Sequence, residues 1–144
     1  MVGILIVSHG RLAEALITSV QFLVGSLQKI RGVSIWPKDK EKEVMDRIQR
    51  EIKEVDDGDG VVILTDVLGG TPTNLSISFL EKEKVEVVTG VNMPMLLTLS
   101  SYRKGKSLEE LSRLVKRSGR RSITLAKGVL GLKKRNRPKS LTPK

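Results

Sequence analysis

Three short runs of the sequence predict buried strands, and they constrain the fold more than any other feature. They are Val2–Ser8, Val61–Thr65 and Lys84–Thr89, the last of which contains VEVVT. A strand with one solvated face alternates apolar and polar residues, whereas a strand that is buried on both faces does not. With helical segments between them, these runs predict the α/β class: an open, mostly parallel sheet with helices on both faces.

The segments between the apolar runs repeat their apolar residues at helical spacing. Ile30–Trp36 predicts one more strand, and Ser122–Ala126 predicts a last short strand near the end of the domain. Ser107 followed by Glu110 forms a capping box at the start of a helix. The predicted helices cover residues 11–25, Lys40–Val55, Asn74–Glu83, Met93–Tyr102 and Leu108–Ser118.

The basic charge is concentrated in the last third of the chain. Residues 1–102 hold 11 basic and 14 acidic residues, whereas residues 103–144 hold 15 basic and 2 acidic ones. The final stretch, LKKRNRPKSLTPK, has almost no apolar residues, so we predict one folded domain over residues 1–127 and a basic, disordered tail over residues 128–144. The tail has no interleaved aromatic residues for base stacking, so no specific nucleic-acid binding is expected.

The composition also limits the chemistry. The 144 residues include one histidine and no cysteine, so thiolate catalysis, disulfides and cysteine-ligated zinc are excluded, and no metal site or cofactor is expected. No apolar run approaches the roughly 18–20 residues of a membrane span, and no signal peptide is recognised at the start. We therefore expect a cytoplasmic protein.

Polar residues follow the predicted strands at the edge where parallel strands place ligands. His9, the single histidine, ends the first strand, and Asp66 ends the third. An aspartate that accepts a hydrogen bond from Nδ1–H would leave Nε2 as a nucleophile. The alternative is a histidine that only fills the turn, bonded to a backbone carbonyl. A serine triad is disfavoured because Ser8 points to the opposite face from its neighbour and no G-x-S-x-G elbow is present.

Glycines near these strand ends suggest a site for an anion. Gly69, Gly70 and Thr71 follow a strand and precede a helix, with Thr71 as the expected N-cap. Gly10 begins the helix beside His9 and would supply further N–H donors. The alternative is a plain tight turn with a capped helix, since the glycine spacing matches neither a Walker A loop nor G-x-G-x-x-G.

Three more residues are expected at the edge of the crevice. Arg11 would face a phosphate or an acidic partner, or it is a solvated residue of the first helical turn. Asn92 and Met93 follow the fourth strand, although a methionine at such a position is more often part of the core.

Three stretches together resemble the enzyme IIA component of the mannose family in the bacterial phosphoenolpyruvate:sugar phosphotransferase system (PTS). They are ILIVSHGRLAEAL at residues 4–16, ILTDVLGGTPTN at 63–74 and VVTGVNMPMLL at 87–97. The resemblance implies that His9 accepts a phosphoryl group on Nε2 from the histidine-containing phosphocarrier protein and passes it to a IIB component for sugar uptake. It also implies that Asp66 holds His9, that Gly70 and Thr71 line the phosphate, and that the chain meets a membrane only indirectly, through a permease complex.

The resemblance further implies a homodimer in which the last strand, here Ser122–Ala126, is antiparallel and exchanged between subunits. Two alternative roles stay open at this stage. One is a regulatory module that His9 phosphorylation switches without a sugar permease. The other is the phosphocarrier subunit of a dihydroxyacetone kinase, which shares the SHG-type start.

Overall fold

The computed structural model describes residues 1–82 and 84–131. Four strands and six helices make up this part of the chain. The strands are β1 (Gly3–His9), β2 (Ile30–Ile35), β3 (Val61–Thr65) and β4 (Val85–Val88). The helices are α1 (Leu12–Val24), α2 (Glu41–Val55), α3 (Thr71–Ile77), α4 (Met93–Tyr102), α5 (Leu108–Arg121) and α6 (Ala126–Leu130).

The sheet has the order β2-β1-β3-β4, and every neighbouring pair is parallel. In register, Ile6 of β1 faces Gly32 of β2 on one side and Leu64 of β3 on the other. The chain moves from β1 outward to β2 and then returns to the other side of β1 for β3. The carboxyl ends of β1 and β3 therefore form the topological switch point, where an open α/β sheet leaves a crevice.

Helices cover both faces of the sheet, which explains why the central strands are apolar throughout. Alternate residues of β1 point to opposite faces, so Ile4 and Ile6 join one core cluster and Leu5 and Val7 join the other. The first cluster is completed by residues of α1, α4 and α5, and the second by residues of α2 and α3. The predicted α/β class with an open parallel sheet and helices on both faces is confirmed.

Local side-chain bonds define where several helices begin. The predicted capping box is present, since Ser107 Oγ accepts from the Glu110 N–H and Glu110 Oε1 accepts from the Ser107 N–H. Helix α4 begins where Asn92 Oδ1 accepts from the Met95 N–H at 3.1 Å. The N-cap of α3 is Gly70, so the prediction that Thr71 caps this helix is wrong, and Thr71 is its first helical residue.

The predicted helix Asn74–Glu83 is wrong at both ends. Helix α3 begins at Thr71 and ends at Ile77, and turns follow as far as residue 82. Two serine hydroxyls explain the early end, because Ser76 Oγ donates to the Pro72 carbonyl and Ser78 Oγ donates to the Leu75 carbonyl. Such bonds compete with continuation of the helix.

The predicted strand Ser122–Ala126 is absent from the described part of the chain. Residues 123–125 have no regular structure, and Ile123 and Leu125 are 80% and 81% exposed. A strand needs a neighbour for its backbone N–H and C=O groups, and residues 1–82 and 84–131 of a single copy supply none here. Ala126 belongs instead to α6, which also contains the predicted boundary between residues 127 and 128. Most of the predicted tail, residues 132–144, lies outside the described residues.

None of the helices in residues 1–82 and 84–131 combines the length and the apolar composition that a bilayer crossing requires.

Candidate functional site

The adjacent strands β1 and β3 bring His9 and Asp66 together at the carboxyl edge of the sheet. His9 is the last residue of β1, and Asp66 comes directly after β3. Nδ1 of His9 lies 2.8 Å from Oδ2 of Asp66, and the backbone N–H of His9 donates to the same oxygen at 2.9 Å. The other carboxylate oxygen, Oδ1, accepts from the Val67 N–H at 2.9 Å. Asp66 therefore fixes both the ring and the backbone of His9.

Exposure differs sharply between the two side chains. The Asp66 side chain is 9% exposed and the His9 side chain 53%. Burial raises the pKa of Asp66, but the hydrogen bonds from the backbone and ring of His9 and from Val67 together outweigh it, so the pKa lies below its ordinary value of 3.8. Asp66 is thus an ionised acceptor at neutral pH, and Nδ1 must be the donor of their bond. Nε2 is then the unprotonated nitrogen of a neutral His9 ring.

The loop after β3 passes close to the reactive edge of this ring. A Cβ atom at Gly70 would lie 3.0 Å from Cε1 and 3.6 Å from Nε2 of His9. The φ of Gly70 is −83°, a value that any residue adopts, so glycine is needed here for space. Gly69 has a φ of +85° with open space around it, so glycine is needed there for backbone conformation.

Buried hydroxyl groups hold this loop in place. Thr73 Oγ1 donates to the Val67 carbonyl at 2.7 Å and lies 2.6 Å from Thr65 Oγ1. The backbone N–H of Gly70 also donates to the Val67 carbonyl, at 3.3 Å. Both threonines are fully buried. Neither was singled out from the sequence, although the T-x-T spacing in GGTPTN is the signal that could have indicated Thr73.

Ser8 and Gly10 shape the first turn beside His9. Ser8 Oγ is buried and accepts from the Ala13 N–H at 2.8 Å, so this hydroxyl caps α1 and does not face the crevice. Gly10 adopts a φ of +55° and donates its own N–H to the Ile35 carbonyl at 2.9 Å. The Gly10 N–H, predicted as a donor to the anion, therefore already donates within the sheet. The N–H groups at the start of α1 that could donate to an anion are those of the next residues, Arg11 and Leu12.

A family model described as the PTS system fructose IIA component matches residues 3–116. The chain belongs to this family. The match confirms the resemblance to mannose-type IIA components, and it spans the site, since both His9 and Asp66 lie within it.

Named relatives carry related descriptions. The mannose-specific EIIAB component of Escherichia coli (strain K12) is 29% identical over 145 residues, which cover 99% of this chain and 45% of that protein. The chain thus spans about half the length of this relative. The fructose-specific EIIA component of Bacillus subtilis (strain 168) is 27% identical over 124 residues, which cover 85% of each chain.

Solved structures of IIA proteins have the same fold. The PTS component EIIA from Streptococcus agalactiae has a TM-score of 0.79 and 28% identity, covering 88% of this chain and 98% of that one. The PTS IIA protein associated with the fucose utilization operon from Streptococcus pneumoniae has a TM-score of 0.75 and 31% identity, covering 89% and 95%.

A cavity of about 490 Å³ adjoins His9 in this IIA chain, and sequence reasoning did not find it. Thr71, predicted to line the phosphate, is one of its lining residues, and Gly70 is not. Its mostly apolar wall includes Trp36, the residue directly after β2. The full lining is His9, Gly10, Ile35, Trp36, Pro37, Asp39, Glu41, Val44, Thr71 and Leu75.

The three residues predicted at the crevice edge have different surroundings. Arg11 is exposed at the N-cap position of α1, two residues after His9. Asn92 caps α4, and its Nδ2 donates to the Gly119 carbonyl at 3.3 Å. Met93 packs against the first core cluster. Asn92 and Met93 therefore contribute to the scaffold through these contacts, and Arg11 is part of the turn that follows His9.

No group of three or more histidine, cysteine, aspartate or glutamate residues in the described part of the chain is arranged to hold a metal ion.

Proposed function

We propose that this IIA chain is a phosphocarrier that accepts a phosphoryl group on Nε2 of His9 from the histidine-containing phosphocarrier protein and passes it to a IIB component. The observation that carries the proposal is the bond between Nδ1 of His9 and the carboxylate of Asp66, 2.8 Å long, on a ring that is half exposed. It leaves Nε2 as the nitrogen with a free lone pair, at a surface that a partner protein can reach.

The transfer exchanges one nitrogen–phosphorus bond for another. The lone pair of Nε2 forms the new bond as the bond to the donor's ring nitrogen breaks, and the released electron pair stays on the donor ring. The proton on Nδ1 stays on His9, where the ionised Asp66 stabilises the positive charge that the ring acquires. The donor ring leaves neutral when its other nitrogen carries a proton, so charge and protons balance.

The phosphoryl oxygens need hydrogen-bond donors near Nε2. Gly70 leaves room for them beside the ring, and Gly69 permits the turn that places it there. Thr71, with its hydroxyl and its N–H, lines the cavity that His9 shares. Backbone N–H groups at the start of α1, beyond Gly10, supply further donors, and Arg11 adds a positive charge. Such preorganised donors stabilise a transferring phosphoryl group without a cofactor.

Sugar phosphorylation is the downstream role that the comparisons support best. The relatives reported above are described as mannose-specific and fructose-specific components. A IIB component as the acceptor is consistent with the EIIAB description of the Escherichia coli relative. No observation favours the regulatory switch or the dihydroxyacetone kinase subunit.

We also propose that the folded IIA domain ends at residue 127 and that the protein is located in the cytoplasm.

A homodimer is the proposed assembly. Strand β4 is at an edge of the sheet, and a groove of about 880 Å³ runs beside it, between Val85–Val88 and α5. Ile123 and Leu125 are highly exposed on a segment that pairs with no strand in the described part of the chain. Residues 122–126 of a second copy fit this edge as an added strand.

Light scattering of the full chain tests the homodimer. The double variant I123D/L125D is expected to shift the dimer to a monomer. A wild-type monomer at micromolar concentration would contradict it.

The phosphocarrier role is tested by transfer in vitro. The full chain is incubated with labelled phosphoenolpyruvate, enzyme I and the cognate phosphocarrier protein, beside the variant His9→Ala. We expect acid-labile, alkali-stable label on the wild type alone, because phosphohistidine has this stability and phosphoserine does not. Unlabelled, folded wild-type protein would contradict the proposal, and so would equal labelling of His9→Ala.

A further inference from the structure

Trp36, the residue directly after β2, has a large aromatic side chain to which the phosphocarrier chemistry assigns no part. It is the single tryptophan of the chain, and it is 47% exposed. An indole ring that stays half in water gives up part of the free energy that its full burial would contribute. Trp36 also lines the cavity of about 490 Å³ beside His9. Its position therefore suggests a role at the candidate site rather than in the core.

The order of the strands places Trp36 on the opposite side of His9 from Asp66. Strand β1 lies between β2 and β3, so the ends of β2 and β3 flank the end of β1. Asp66 and Gly70 follow β3, whereas Trp36 follows β2. His9 pairs with Ile35 in the parallel register, so Trp36 comes next to the turn that follows His9. The site is thus bounded by the β3 loop on one side and by Trp36 on the other.

Two contacts from the end of β2 hold Gly10, the residue between His9 and the N-cap residue of α1. The Ile35 carbonyl accepts from the Gly10 N–H at 2.9 Å. The outer edge of the Trp36 ring lies against Gly10, since a Cβ there would be 3.7 and 3.8 Å from Cζ3 and Cη2 of the indole. Gly10 has a φ of +55°, and glycine has more backbone freedom than any other residue. The turn therefore depends on these neighbours to keep one conformation.

Hydrogen bonds and a proline hold the backbone of Trp36 itself. Its N–H donates to Oδ2 of Asp39 at 2.9 Å, and its carbonyl accepts from the Asp39 N–H at 3.0 Å. The same Oδ2 accepts from Nη2 of Arg47, whose Nη1 donates to the Ser34 carbonyl at 3.1 Å. Pro37 further restricts the residue before it to extended conformations. The indole ring therefore extends toward Gly10 from a fixed backbone.

The N–H groups proposed to receive the phosphoryl oxygens come directly after Gly10. They belong to Arg11 and Leu12, at the start of α1. A rotation of the backbone at Gly10 would move these donors relative to the ring of His9. A misplacement of about 1 Å is enough to cost on the order of 100-fold in the rate of a reaction. A contact that holds Gly10 would therefore affect the transfer rate through geometry alone.

We propose that Trp36 is a positioning residue for phosphoryl transfer, which keeps the Gly10 turn in one conformation. In that conformation the turn directs the N–H groups of Arg11 and Leu12 toward a phosphoryl group on His9. This inference rests on the phosphocarrier role proposed above and adds a residue to it. Because Trp36 acts through Gly10, it affects the rate at saturating donor rather than the binding of the donor.

An exposed tryptophan beside a reactive group can instead be a contact for the partner protein. The two roles predict different kinetics. Loss of a partner contact raises KM and leaves the rate at saturating donor unchanged, whereas loss of a positioning residue lowers that rate. The contact of the Trp36 ring with Gly10, within the chain itself, favours the positioning role.

The variants Trp36→Ala and Trp36→Phe of the full chain test the proposal, beside the control Tyr102→Ala. Phenylalanine keeps an aromatic ring but is shorter than the outer indole edge that reaches Gly10. Tyr102 is a matched control because it is 54% exposed, lies at the end of α4 and is not among the residues that line the cavity. Rapid-quench transfer from the phosphorylated cognate donor gives kcat and KM for each variant, and urea unfolding shows whether each is folded.

We expect Trp36→Ala to lower kcat by about 10- to 100-fold with KM nearly unchanged, and Trp36→Phe to fall between it and the wild type. Tyr102→Ala should transfer like the wild type. An unchanged kcat in folded Trp36→Ala, with or without a higher KM, would overturn the positioning role and leave the phosphocarrier role intact. Failure of the wild type to accept any phosphoryl group would instead refute the phosphocarrier role, and the positioning role with it.

NMR supplies a second readout, which a loss of stability alone would not change. Phosphorylation of His9 is expected to shift the amide signals of Arg11 and Leu12 in the wild type and in Tyr102→Ala, and to shift them less in Trp36→Ala. Equal shifts in Trp36→Ala and the wild type would overturn the proposal. A phosphorylated wild type in which neither amide signal responds would also overturn it.

Discussion

Gly70 lies against the ring edge of His9, where a Cβ atom would come within 3.0 Å of Cε1 and 3.6 Å of Nε2. The backbone at Gly70 is compatible with any residue, so the constraint is the space beside the reactive nitrogen. We predict that Gly70→Ala slows phosphoryl transfer to His9 by 10-fold or more and leaves the free energy of unfolding nearly unchanged.

Gly69→Ala is the matched control for this prediction. No described residue has an atom within 4 Å of a Cβ at Gly69, but the φ of +85° strains any residue other than glycine. We expect a loss of about 1 kcal/mol in the free energy of unfolding, with a smaller loss of transfer rate than in Gly70→Ala, because no atom is added beside Nε2. Rapid-quench transfer and urea unfolding separate the two effects. Equal transfer rates for both variants would show that the space beside Nε2 is not critical.

The pairing of His9 with Asp66 could be predicted from sequence because it depends on local patterns. Apolar runs identified β1 and β3, and parallel strands place the residues at their carboxyl ends on one edge. The segment 122–126 could not be predicted in the same way, since a strand depends on the chain it pairs with. The cavity beside Trp36 was missed because it joins residues of β2, α2 and α3 whose proximity only the fold determines.

Asp66→Asn should impair transfer through the tautomer of His9. Both carboxylate oxygens act as acceptors: Oδ2 accepts from the backbone and ring of His9, and Oδ1 accepts from Val67. The side chain of asparagine has one oxygen acceptor and one NH₂ donor. At least one of the N–H groups of His9 and Val67 that donate to the carboxylate would therefore face the NH₂ group instead of an oxygen. If the NH₂ group turns to Nδ1, the ring proton moves to Nε2 and blocks the nucleophile. A loss of about 10²- to 10⁴-fold in transfer rate follows by analogy with other aspartate–histidine pairs.

NMR can determine the tautomer of His9 in the wild type and in Asp66→Asn, because His9 is the single histidine and its two ring nitrogens give one pair of signals. Asp56→Asn is the control, since one oxygen of Asp56 accepts from both Gly58 and Gly60 and an amide oxygen can replace it. An Nδ1–H ring in Asp66→Asn, together with wild-type transfer, would contradict the role assigned to Asp66.

Thr73→Val should destabilise the loop that carries Gly70. The hydroxyl of Thr73 is fully buried, donates to the Val67 carbonyl and lies next to the hydroxyl of Thr65. Valine keeps the shape but leaves the Thr65 hydroxyl and the Val67 carbonyl without this partner, which costs about 1–3 kcal/mol. Urea unfolding measures the loss. A change below about 0.5 kcal/mol would mean that these bonds do not stabilise the loop.

Acid should reduce stability through Asp66. Hydrogen bonds in the folded state hold its pKa below the ordinary 3.8, so the unfolded state binds the proton more readily. Asp66 thus stabilises the fold fully above about pH 5, and this contribution is lost as the pH falls through 3.8 toward the folded-state pKa. Glu110 and Asp59 act in the same direction, because the Ser107 N–H and the N-terminal ammonium lower their pKa values.

The contribution of Asp66 is isolated by a comparison of variants. The free energy of unfolding is measured in urea at intervals from pH 6 to pH 3 for the wild type, Asp66→Asn and Glu110→Gln. Because asparagine does not titrate, Asp66→Asn should lose less stability than the wild type between pH 5 and pH 3, so the two curves converge in acid. Glu110→Gln should also lose less than the wild type, through the capping box of α5 rather than through the His9 site. Parallel curves for the wild type and Asp66→Asn would show that the pKa of Asp66 is the same in the folded and unfolded chains.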